Sequence, residues 1–462
     1  MTQPAAESGE NTVSIEIASK IDLLDLHRFN RERYPHLLES VLHGTAQARY
    51  DILFAFPDHY LTLMQSGDLS EPLVADQEQP FLVELDRWWS ESHVESTSSI
   101  LPFSGGWFLY LGYELAGEIE PTLKLPATRS QFPIAMAVRH PAAVIVDHQA
   151  GTTHLVVEAG REEQLASLQA DIEAVTQSQS PRTQAISARI EEEPAERYLD
   201  AVERILSYIR EGDVFQVNLS REWSGTLQES VTAADLYSVL RTTNPAPFAA
   251  LATFGESAVV SSSPERLVSV HDGVVQTRPI AGTRPRSERR EDDQVLSETL
   301  MSHPKEQAEH IMLIDLERND LGRVSVPGSV EVDELMVLES YAHVHHIVSN
   351  VRGRLREGVT PGEVIRATFP GGTITGCPKV RCMEIIAELE QTGRGPYTGS
   401  IGYLNRDGSM DLNILIRTML LEQQQVTFRA GAGIVTDSIA ERELEETRAK
   451  ALGMLRALEP QS

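Results

Sequence analysis

The chain has 462 residues, of which 68 are acidic and 40 basic, giving a formal net charge of −28. Such a surface repels nucleic acid and anionic membranes, which excludes phosphate-tracking roles; an anionic substrate must meet a local cluster of cations or a metal ion. At 41 % hydrophobic and 23 % charged residues, the composition is that of a globular protein, with about two or three domains or one large intertwined one.

In chain order, the opening "MTQPAAESGENT" is polar, lacks a basic-then-apolar signal pattern, and reads as about a dozen disordered residues. Between 13 and 175, short apolar runs broken by turn residues predict strands. Examples are "YDILFAF" (50–56), "GGWFLYLGY" (105–113) and "AAVIVDH" (142–148). "QLASLQADIEAV" (164–175) has helical spacing instead. The polar stretch 176–184 predicts a linker between a region 1–184 and a region 185–462. An amphipathic helix follows at 193–213, with Pro194 in its first turn and Tyr198, Val202, Ile205 and Ile209 on one stripe. Strands are predicted at 215–220, 248–254, 257–263, 266–270, 399–404 and 425–435, and helices at 304–320, near 362–369, at 379–391 and at 441–458. Because strands come in blocks rather than alternating with helices, the fold class is α+β with large antiparallel sheets. No apolar run approaches the roughly 18 residues of a membrane span, and two cysteines, Cys377 and Cys382, suit a reducing cytoplasm.

Several residues suggest chemistry. Glu306 and Glu309 share one helix face, as do Glu443 and Glu446, and oxygen ligands from two helices suit Mg²⁺; solvated faces, with Glu446 pairing to Lys450, are the plainer alternative. "FPGGTITGCPK" (369–379) and "RAGAGIV" (429–435) put glycines where backbone amides can approach a carboxylate, or merely turn the chain. "HVHH" (343–346) has no further Cys/His pair at ligand spacing, so zinc is disfavoured and a single proton-handling or core histidine is expected. "TRPIAGTRPR" (277–286) places three arginines around a pivot of small residues.

Ten ordered segments from Pro194 onward resemble the chorismate-utilising enzyme family. They are "GDVFQVNLS" (212–220), "SSSPERLV" (262–269), "RPIAGTRPR" (278–286), "KEQAEHIMLIDLERNDLGRV" (305–324), "HHIVSNVRGRL" (345–355), "FPGGTITGCPKVRCMEII" (369–386), "GSIGYL" (399–404), "ILIRT" (414–418), "AGAGIVTDS" (430–438) and "ELEETRAK" (443–450). The resemblance implies a sandwich of antiparallel sheets with flanking helices, binding Mg²⁺ and chorismate. It makes Glu309 and Glu446 the principal Mg²⁺ ligands, supported by Glu306 and Glu443. Arg417, Lys450, Tyr403, Gly431 and Gly433 would hold the substrate's carboxylates, with Gly282, Thr283 and Thr373 as further contacts. Glu265 would be the acid that helps the C4 hydroxyl leave, with His346 beside it.

Gln216 stands where isochorismate-forming relatives carry a lysine base, which implies an amine-transferring member. Ala281 stands where many aminodeoxychorismate synthases carry a nucleophilic lysine, and P-I-A-G-T is the anthranilate synthase reading. The surrounding "FPGGTITG", "GSIGYL", "QVNLS", "NPAPFAAL" (244–251) and "RYDILFAFP" (49–57) favour the aminodeoxychorismate branch and a place in folate synthesis. A binding-only regulator would not need this acid and metal set. "HLLES" (36–40) resembles the tryptophan pocket of the family, at Leu38, Glu39 and Ser40, or is an ordinary buried strand. No G-x-C-x-G glutaminase elbow is present, so a glutamine amidotransferase subunit is the expected ammonia source.

Overall fold

A computed structural model describes residues 6–8, 11–41, 49–70, 79–95, 101–178, 184, 186–285, 289–302, 304–340 and 344–459. Among them the strands form two antiparallel sheets, of thirteen and eleven strands. The periodicity of "YDILFAF" shows how they stack. On strand Tyr50–Ala55, Leu53 and Ala55 face a core under the outer helices, whereas Ile52 and Phe54 face the other sheet. A strand covered on both faces is apolar throughout, which is why this run does not alternate. Phe108, Tyr110, Met136 and Ile401 of the smaller sheet meet Ile52, Phe54, Ile145 and Val259 of the larger one, closing a sandwich.

Helices cover both outer faces. Ala195–Glu211, Lys379–Glu390 and Ala440–Leu458 pack on the larger sheet, and Phe81–Ser92, Pro304–Gly322 and Pro361–Thr368 on the smaller. The expected helices at 193–213, 379–391 and 441–458 agree with these bounds. Phe81–Ser92 and Arg290–Ser302 were not foreseen, and Ala6–Ser8, expected to be disordered, pairs with Val13–Ile15 as an edge strand. Strands from either side of the 176–184 stretch share both sheets: His36–Glu39 pairs with Phe248–Phe254, and Gly106–Leu111 with Ser400–Asn405.

Two crossings between the sheets position the site. The chain leaves the larger sheet at Ser257–Ser263 and enters the smaller at Arg266–His271, with Glu265 in the step. It returns from Met410–Asn413 to Thr418–Glu422, with Arg417 in that step at φ +51°. The crossings are bonded to each other: the Ile414 amide donates to the Glu265 carbonyl at 3.0 Å, and the Ser262 amide to the Arg417 carbonyl at 3.1 Å.

Candidate active site

Glu265 is 6 % exposed, and its Oε1 has no hydrogen-bond partner among the described residues. Burial pushes its carboxyl up to about 7, although Thr373, Lys450, the Ile280 amide and Arg417 all favour the charged form. A substantial fraction therefore keeps its proton near neutrality, the state a proton donor needs. The Thr373 hydroxyl, in the turn Gly372–Ile374, is buried and faces this carboxyl.

Arg417 is sunk into the structure, and burial lowers its affinity for its proton; Glu265 is the one group that counters this. It makes no ion pair among the described residues, which leaves its donors free for an incoming anion. His346 sits beside it on strand Val344–Arg354. Burial first, then Arg417, pushes the imidazole down to about 4, so it is neutral at pH 7. Its proton affinity is partly restored by the Gly282 backbone and Glu339. Gly282, at φ +67°, forms the bulge in strand Ile280–Pro285 opposite His346. The neighbouring His345 turns to the opposite face and reaches Asp293 at 3.0 Å.

The opposite wall is the ladder between Gln216–Thr226 and Gln425–Ile434. A side chain at Gly431 would lie 2.6 Å from the Leu219 carbonyl and 2.7 Å from both Asn218 Oδ1 and the Tyr397 hydroxyl. One at Gly433 would lie 2.4 Å from Gln216 Nε2. These glycines therefore keep the wall open. Lys450 donates to the Gly431 carbonyl at 3.1 Å and pairs with Glu446 at 2.8 Å, while Gln216 Nε2 donates to Glu309 Oε1 at 3.0 Å. Glu309 on Pro304–Gly322 thus touches a side chain of this ladder directly, and Glu446 on Ala440–Leu458 reaches the ladder through Lys450. Glu443 lies a turn before Glu446, and both act electrostatically on Tyr198. No group of three or more His, Cys, Asp or Glu side chains assembles as a metal nest among the described residues.

Not every expected residue comes to this cavity. Tyr403 packs in the core between the sheets, against Phe54 and Phe103 and near the Arg266–Asp411 pair at 2.8 Å. The tyrosine at the glycines is Tyr397, and Tyr403 is corrected accordingly. The physical reason is strand period: Tyr403 shares a face with Ile401, which lies in that core. Leu38, Glu39 and Ser40 form a separate group. Leu38 packs on the intersheet core, Glu39 accepts from Tyr237 at 2.6 Å and Arg241 at 3.1 Å, and Ser40 donates its amide to Asp51 at 2.8 Å. Burial and Asp51 raise Glu39 to about 7 despite Arg241. The side chains of Ala281, Thr283 and Glu306, and all of His343, lie outside the described residues. Of the three arginines in 277–286, Arg278 has described partners, Glu339 and Glu334, each at 2.6 Å.

Sequence reading missed Tyr397 and Asn218. Asn218 was signalled by its place two residues after Gln216 on one strand face, and Tyr397 by the glycine-rich turn "RGPYTG". It also missed Glu317, buried near Glu265 and held above the carboxylate range by burial and Asp320, which Lys379 joins at 2.6 Å.

Residues 47–456 match the model of a family described as chorismate binding enzyme. An "anthranilate synthase component I-like protein" of Synechocystis is 44 % identical over 78 % of this chain and 74 % of its own length. "Aminodeoxychorismate synthase component 1" of Bacillus subtilis is 42 % identical over 80 % and 81 %. The structure of anthranilate synthase component I from Streptococcus pneumoniae superposes with a TM-score of 0.80 at 35 % identity, covering 89 % of this chain and 93 % of that one. The match over residues 47–456, with relatives at 42–44 % identity and a shared fold, places the chain in the chorismate binding enzyme family.

Proposed function

We propose that this protein condenses chorismate with ammonia to 4-amino-4-deoxychorismate and water, on the route to 4-aminobenzoate and folate. The observation that carries the reading is Glu265, buried with one oxygen unpartnered among the described residues, with the Arg417 and Lys450 cations near it. Chorismate is a dianion whose C4 hydroxyl leaves poorly. Arg417 and Lys450 bind and orient its carboxylates, and the Glu265 proton passes to the departing hydroxyl, which leaves as water. Neutral His346 accepts or donates a hydrogen bond beside that oxygen.

Glu309 and Glu446 carry the carboxylate oxygens that a hard divalent cation takes, the one beside Gln216 and the other beside Lys450. These two, supported by Glu306 and Glu443 as the family resemblance implies, would hold Mg²⁺, which supplies charge neutralisation for a ring carboxylate when bound. Ammonia would come from a glutamine amidotransferase subunit. Ala281 offers no amine, Lys379 is tied to Asp320, and Lys450 to Glu446 and Gly431, so the addition proceeds without a lysyl adduct. The group of Glu39, Ser40 and Arg241 would take a zwitterionic amino acid such as tryptophan.

The second reading is anthranilate synthase, favoured by Ala281 and by the Streptococcus pneumoniae likeness. The deciding experiment supplies protein, chorismate, Mg²⁺ and ammonium, with and without aminodeoxychorismate lyase. Lyase-dependent 4-aminobenzoate supports the first reading, and anthranilate formed without lyase refutes it. Tight chorismate binding with no turnover would instead indicate a non-catalytic binder. A mass increase on any lysine after incubation would refute direct addition.

A further inference from the structure

We propose that Arg394 is a positioning residue for the site, an inference that rests on the chorismate reading. Every N–H of its side chain is engaged. Nε and one terminal nitrogen grip Glu390 at 3.0 and 2.7 Å. The same terminal nitrogen donates to the Asn218 carbonyl at 2.8 Å, and the other to the Ile374 carbonyl and the Thr398 hydroxyl, both at 3.2 Å. The guanidinium also lies between the rings of Tyr113 and Tyr397, 4.9 and 5.5 Å from their centroids. Its side chain is 1 % exposed.

Three of those partners belong to separate pieces of the cavity. Asn218 faces Gly431; Ile374 follows Thr373, which faces Glu265; Tyr397 brings its hydroxyl to Gly431. These pieces come from a strand, a 3₁₀ turn and a loop far apart in sequence, and Arg394 touches all three. The planar fork fixes their separation, which a lysine's single ammonium cannot do. Arg429 provides the contrast. It is also buried and also pairs with Glu390, at 3.2 Å, but its remaining donors go to Ser220 and Glu222 within the one ladder and reach neither the turn at Ile374 nor the loop at Tyr397.

The test compares Arg394→Lys with Arg429→Lys in the full chain. Each keeps a positive charge beside Glu390. Positioning predicts that kcat/KM for chorismate falls about tenfold or more in Arg394→Lys, chiefly through KM, and by clearly less, about threefold at most, in Arg429→Lys, which braces the ladder alone. Hydrogen exchange, read by mass spectrometry, should quicken around 371–377 and 396–399 in Arg394→Lys alone. Equal losses in both variants, or exchange raised uniformly, would overturn the proposal. Should Arg394→Lys fail to fold, Thr398→Ala removes one acceptor and no charge. It should raise KM about twofold or more and quicken exchange at 371–377, and no change in either would equally overturn the proposal. If the parent protein does not consume chorismate, the functional reading falls, and the exchange pattern, which needs no substrate, still decides for or against Arg394.

Discussion

Replacing Glu265 by glutamine removes an ionisation that burial makes costly while keeping the side chain's shape. Its carboxyl is raised from 4.5 to about 7 in the folded state. At 1.36 kcal/mol per unit that displacement is worth about 3 kcal/mol. The sign follows from which state holds the proton. Below about 4.5 both folded and unfolded chains keep it, and the group costs the fold nothing; as pH rises to 7 the unfolded chain releases it while the fold resists, and stability is lost until the folded carboxyl ionises. Glu265→Gln escapes this loss. Melting temperatures of parent and variant, without substrate, should therefore separate in the variant's favour by a few degrees between pH 4.5 and 8, and no further above that. Activity should move the other way: kcat/KM of the parent declines as pH rises through about 7, and the variant loses about a hundredfold to ten-thousandfold. A difference in melting temperature that does not change with pH would refute the argument that Glu265 is buried and protonated.

Three further substitutions test other parts of the cavity. Arg417→Met removes a cation that burial disfavours and that forms no ion pair among the described residues, so it should raise the melting temperature while raising KM for chorismate about a hundredfold. Gly431→Ala puts a methyl group 2.6–2.7 Å from Leu219, Asn218 and Tyr397; it should lower the melting temperature and abolish most turnover, a loss that steady-state kinetics would reveal. Glu446→Gln frees Lys450 and removes a proposed Mg²⁺ ligand. The Mg²⁺ concentration for half-maximal activity should rise about tenfold or more, and an unchanged Mg²⁺ titration would remove Glu446 from the metal site.

Much of this was legible because local patterns report which face of an element is buried. The stripe in 195–211 and the all-apolar 50–55 run both give the element type and its covering directly. Patterns of period two do not say which strand lies alongside. The pairing of His36–Glu39 with Phe248–Phe254 joins segments more than two hundred residues apart, and no local feature encodes it. The same limit explains the tyrosines. "GSIGYL" drew Tyr403 into the substrate set because the motif is glycine-rich, although its spacing from Ile401 already directs it to the core. Tyr397 reaches Gly431 only because Arg394 folds the 394–398 loop onto the 216–226 strand, a contact made in three dimensions.

Charge matching separates structural from functional ionisable groups better than burial alone. Glu39, Glu114 and Glu265 are all buried, and burial raises each to about 7. Glu114 accepts the amides of Arg394 and Gly395, and Glu39 accepts Tyr237 and Arg241, so both oxygens' work is accounted for within the fold. Glu265 alone of the three keeps a buried oxygen without a partner. The arginines divide in the same way. Arg221, Arg266, Arg394 and Arg429 are each paired to a carboxylate and tie strands, loops and helices together, whereas Arg417 makes no ion pair among the described residues. Glu265 and Arg417, both at the crossings between the sheets, favour each other's charge but form no ion pair among the described residues, and burial disfavours the charged form of each; on the proposed function a dianionic substrate offsets that cost. In a chain of net charge −28 that local exception is what an anionic substrate requires.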